Sequence, residues 1–82
     1  MARFLLHHRH EAEECGVVFA SFRGHESSLR HRDALATCEC SPDGHAIFWA
    51  VEATDESQAL GLLPYFVAER ATAIEVKEVR IP

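Results

Sequence analysis

Residues 45–51, His45-Ala46-Ile47-Phe48-Trp49-Ala50-Val51, read as the strongest strand of the chain. The run is almost continuously apolar, which predicts burial on both faces, as in a central strand. Immediately before it, Ser41-Pro42-Asp43-Gly44 has the chemistry of a turn. Proline sets φ at the first corner, aspartate bonds back to the chain, and glycine accepts a positive φ. Leu35 to Cys40, on the far side of that turn, is a short strand.

Downstream, Thr54 or Asp55 caps a second helix, and Asp55 with Gln58 three residues on makes a capping box. Ala59, Leu60 and Leu63 supply its apolar stripe, Pro64 ends it, and Tyr65 to Arg70 is an aromatic connector. Thr72 to Ile81 alternates as a final strand with one exposed face. Upstream, Arg3 to His8 is the first strand, and Glu11, Glu13 and Glu14 crowd the first turn of a helix. Cys15, Val18, Phe19 and Phe22 follow at helical spacing, so all four are expected to face the core. Gly16 inside this helix costs about 1 kcal/mol against alanine, which close packing would offset. Gly24 is a natural stop. His25 to Ala34 is polar around one apolar anchor, Leu29, and reads as a loop or a broken helical turn.

The order strand, helix, strand, strand, helix, strand matches the split βαβ arrangement. The expected fold is therefore a single α+β domain over residues 1–82. It is a ferredoxin-like βαββαβ sandwich, with a four-stranded antiparallel sheet and two helices on one face. A chain of 82 residues buries only roughly 60–65% of its unfolded surface. A sheet covered on one face leaves the other in need of cover, so a homodimer is expected.

Eight Lys and Arg against thirteen Asp and Glu give a net charge of −5, which disfavours nucleic acid as a partner. The first 32 residues hold five of the six histidines and five arginines against four glutamates, so this half turns cationic below about pH 6. No run approaches the ~18 apolar residues of a membrane span. Three cysteines, an odd count, point to a reducing, cytoplasmic setting.

From about Gly44 to Val79 the chain resembles the muconolactone-isomerase-like and YciI-like members of the dimeric α+β barrel superfamily. The resemblance is carried by Ala46-Ile47-Phe48-Trp49-Ala50-Val51, the acid-capped helix at Asp55, Leu62-Leu63-Pro64-Tyr65-Phe66 and the closing strand. It implies a dimer whose sheets pair face to face around a pocket for a small ligand. Residues 6–11 lack the histidine signature of a YciI-like start, so no catalytic residue carries over.

The unusual local feature is His7-His8-Arg9-His10-Glu11, followed by Cys15. Side chains alternate along a strand, so His8 and His10 continue the face of Phe4 and Leu6. The preferred reading is a small organic, anionic ligand with histidine acid–base chemistry and no cofactor. His8 or His10 would titrate, Glu11 would orient it, and Arg9 or Arg30 would grip a carboxylate. His31 would fold over the pocket and Trp49 would wall it. The alternative is a transition metal, zinc, nickel or copper, held by His8, His10 and Cys15. A third reading is a non-enzymatic dimerisation module. Cys38 and Cys40 flank a single residue, a spacing that matches no strong zinc motif.

Overall fold

The computed structural model describes residues 1–29, 34–37 and 44–82. Strand β1 (Ala2–His10) leads into a 3₁₀ turn (Ala12–Glu14) and helix α1 (Cys15–Ser21); β2 (Leu35–Thr37) and β3 (His45–Ala53) follow. Two short helices, α2 (Glu56–Leu60) and α3 (Tyr65–Ala68), then lead to β4 (Ala71–Val76).

The sheet order is β2-β3-β1-β4 and every neighbouring pair is antiparallel. Each helical crossover therefore skips one strand. β1 reaches β2 with β3 between them, and β3 reaches β4 with β1 between them, giving two interleaved split βαβ units. The helices pack on one side, and the architecture is the expected ferredoxin-like α+β sandwich. Phe4 and Leu6 of β1 and Ile47, Trp49, Val51 and Ala53 of β3 meet Val18, Leu29, Ala59, Leu63 and Val67 in one core. Leu29 anchors the segment after α1 as its isolation in polar sequence predicts. No helix among the described residues is long and apolar enough to cross a membrane.

Several local expectations need correction. Phe19 is 67% exposed, whereas Val18 is fully buried. A helix turns about 100° per residue, and the buried arc of this seven-residue helix centres on Val18, with Cys15, Ser21 and Phe22 on its flanks. Phe19 lies just beyond that arc. Gly16 has no neighbour within 4 Å of where a Cβ would stand, so it serves no close packing. β3 is central, but it alternates: Ala50 and Glu52 are exposed in the single chain.

The second helix stops at Leu60, because Pro64 caps a separate turn, α3, where a connector was expected. Asp55 caps α2 by accepting the Gln58 N–H at 2.8 Å. The Gln58 side chain reaches back to the Thr54 N–H, one residue earlier than a capping box requires. β4 ends at Val76, short of the expected Ile81. The turn residues Ser41, Pro42 and Asp43, and both Cys38 and Cys40, lie outside the described residues. Gly44 does take the positive φ expected of it, +106°.

Candidate metal centre

β1 presents its even residues to the helical layer. After the apolar Phe4 and Leu6 these are His8 and His10, 0% and 6% exposed. Two buried imidazoles need partners, and each has them. Directly across the β1–β3 ladder from His10 stands His45, on the same face as Ile47 and Trp49. Gly44 permits that approach: a Cβ there would lie 2.6 Å from the His10 carbonyl oxygen.

The chain reverses as soon as β1 ends. The Glu11 N–H donates to Glu14 Oε1 at 2.9 Å, and the Glu11 carboxylate receives the Glu14 N–H in return. This capping box starts the 3₁₀ turn and brings Cys15, the first residue of α1, back over His10. Cys15 Sγ lies 3.4 Å from His10 Nε2 and 3.0 Å from His45 Nδ1. The donor atoms of His10, Cys15 and His45 all fall within 4.8 Å of one another. A tetrahedral zinc ion with Zn–S of about 2.3 Å and Zn–N of about 2.0 Å holds sulfur and nitrogen about 3.5 Å apart. The two sulfur–nitrogen distances, 3.4 and 3.0 Å, stand within about 0.5 Å of that spacing.

Behind His10 sits His8. Its Nε2 is 3.0 Å from His10 Nδ1, and its own Nδ1 is 3.1 Å from the carbonyl oxygen of Val67 in α3. Burial pushes the His8 pKa below the ordinary histidine value, outweighing the upward pull of the Val67 carbonyl; His10 and Arg70 push it further down. Burial also lowers His10, then His45 does, against the opposing charges of Glu14 and Glu11. Both rings are therefore neutral at pH 7, the form that ligates metals.

The sequence pattern thus brings His8, His10 and Cys15 together, but the third donor beside Cys15 is His45 rather than His8. Both His8 nitrogens already face other partners. Local sequence does not single out His45, because its partnership with His10 is non-local. A signal existed: His10 closes β1 and His45 opens β3, so antiparallel pairing of those two strands sets them opposite.

Glu11 is exposed and its carboxylate serves the capping box, so it does not orient either imidazole as expected. Arg9 projects to the opposite face of the sheet, away from the histidine group, as its odd position dictates. Trp49 is a core residue, its ring 6.5 Å from that of His8 and 6.1 Å from that of Phe22. His25 donates from Nε2 to the Leu62 carbonyl at 3.0 Å. Arg30 and His31 lie outside the described residues. No protein-family model, curated protein or solved structure matches this chain.

Proposed function

We propose that this domain binds a transition-metal ion, zinc foremost, through His10 Nε2, Cys15 Sγ and His45 Nδ1. One observation carries the reading: three donors from three separate elements converge within 4.8 Å at a partly buried point. Thiolate with imidazole is a borderline-soft set suited to Zn²⁺ and copper rather than to Mg²⁺ or Ca²⁺. Three protein donors on a four-coordinate ion leave one position for water or a small anion. The anionic ligand expected from the sequence would enter there. A purely acid–base role for His8 has less support, because both its ring nitrogens are engaged inside the protein.

The test is calorimetric titration of Zn²⁺ and Ni²⁺ into chelator-stripped protein, wild type beside His10→Ala, Cys15→Ser and His45→Ala. Saturable, equimolar binding to wild type, lost in all three variants, is the expected result. Circular dichroism must first show each variant folded, since His10 is buried. Weak binding, equal in wild type and all variants, would overturn the proposal.

A further inference from the structure

The His8–His10 pair has a direction, and one backbone carbonyl sets it. The Val67 carbonyl oxygen can only accept. It receives the Arg70 N–H at 3.1 Å on one lone pair and faces His8 Nδ1 at 3.1 Å on the other. His8 Nδ1 therefore carries the hydrogen. His8 is 0% exposed, and its ring nitrogens contact no carboxylate. An imidazolium there would be an uncompensated buried charge, so its Nε2 holds a lone pair. The His10 Nδ1, 3.0 Å away, must then donate to it. What remains on His10 is an Nε2 lone pair aimed at Cys15, the atom a metal would take.

We propose that His8 is a positioning residue for the metal centre, locking His10 in the Nδ1–H tautomer by relaying the hydrogen-bond acceptance of Val67. This rests on the metal reading above. It assigns His8 the part usually taken by a carboxylate or carbonyl behind a ligating imidazole, where it fixes ring orientation and tautomer and raises ligand basicity. The sequence offers only histidines at alternate positions; the relay depends on α3 bringing Val67 against β1 from 59 residues away.

Two substitutions separate positioning from packing. His8→Gln keeps an amide oxygen to accept from His10 and an N–H to donate to Val67, whereas His8→Leu fills the space and breaks the relay. Nitrogen-15 NMR of the metal-free wild type should show His10 protonated on Nδ1. Zn²⁺ affinity should fall about 10–100-fold in His8→Leu and recover most of that loss in His8→Gln. His10 protonated on Nε2 in the wild type would overturn the relay. So would His8→Leu, shown folded by circular dichroism, binding Zn²⁺ as tightly as wild type while the metal reading stood. A wild type that binds no Zn²⁺ would instead bring down the metal reading, and the positioning role with it. Should His8→Leu fail to fold, the wild-type tautomer and the His8→Gln affinity still decide the matter.

Discussion

At the scale of single residues, the neutral histidines couple folding to pH. His8 and His10 are both held below the ordinary histidine pKa of about 6.5, chiefly by burial. The unfolded chain, with ordinary pKa values, therefore binds more protons as the pH falls. Their contribution to stability is complete above about pH 6.5 and is lost as pH drops through the lower folded values. The melting temperature should decline between pH 7.5 and 5, and less steeply in His8→Gln. A flat profile in wild type would mean that the imidazoles protonate without hindrance.

Gly44 is the other decisive single residue. Its φ is +106° and an added Cβ would meet the His10 carbonyl oxygen at 2.6 Å, a backbone atom that cannot swing aside. Gly44→Ala should cost roughly 1–3 kcal/mol and push the start of β3, with His45, away from His10. Urea unfolding and Zn²⁺ titration should both register the change. A variant unchanged in both would show that β3 is not pinned there.

Among the elements, α1 is the most informative because two adjacent candidates of its expected core stripe part company. Val18 is fully buried and Phe19 is 67% exposed. Val18→Ala should cost about 2 kcal/mol through lost burial and the cavity left behind. Phe19→Ala should stay within about 0.5 kcal/mol, as for surface positions generally. Gly16→Ala, with open space around the new methyl group, should stabilise by about 0.5–1 kcal/mol. Urea denaturation of the three variants orders these effects; a large loss in Phe19→Ala would contradict the helix orientation described above.

For the whole molecule, the face of the sheet opposite the helices remains to be covered, and we propose a second copy of this chain as its cover. There Leu5 of β1 pairs with Ala50 of β3 and Ile74 of β4, and one step along the ladder Phe48 stands between His7 of β1 and Leu35 of β2. Leu35 and Ile74 are 77% and 51% exposed in the single chain. His7 stacks on Phe48 with ring centroids 4.6 Å apart, making that part of the face flat. Arg3 pairs with Glu52 and Glu78 at one end, a charged rim beside an apolar centre. Such a surface suits an isologous interface of a size on the order of 800 Å² per partner. Light scattering should give twice the 9.2 kDa chain mass at micromolar concentration. Ile74→Lys should shift it to monomer while zinc stoichiometry stays the same, because the histidine site faces the helical side. A wild-type monomer would sink the proposal.

The strand and helix order, the central position of β3 and the placing of His8 and His10 on one face were all legible in the sequence. Each follows from local rules: alternation along a strand, helical spacing, and the chemistry of caps and turns. What sequence spacing could not decide was everything that depends on rotation or on distant pairing. Phe19 and Val18 are adjacent apolar residues, and only the angle at which α1 meets the sheet buries one and exposes the other. Pro64 signals an end to helix but does not say that a new turn begins there. His45 looks like the polar start of an apolar strand until the β1–β3 register sets it against His10. The Val67 carbonyl is a main-chain group with no signature in sequence, yet it settles which nitrogen of His10 holds the proton. Local chemistry is written in the order of residues, whereas convergence of donors from separate elements exists only after long-range packing has chosen one register and one set of helix rotations.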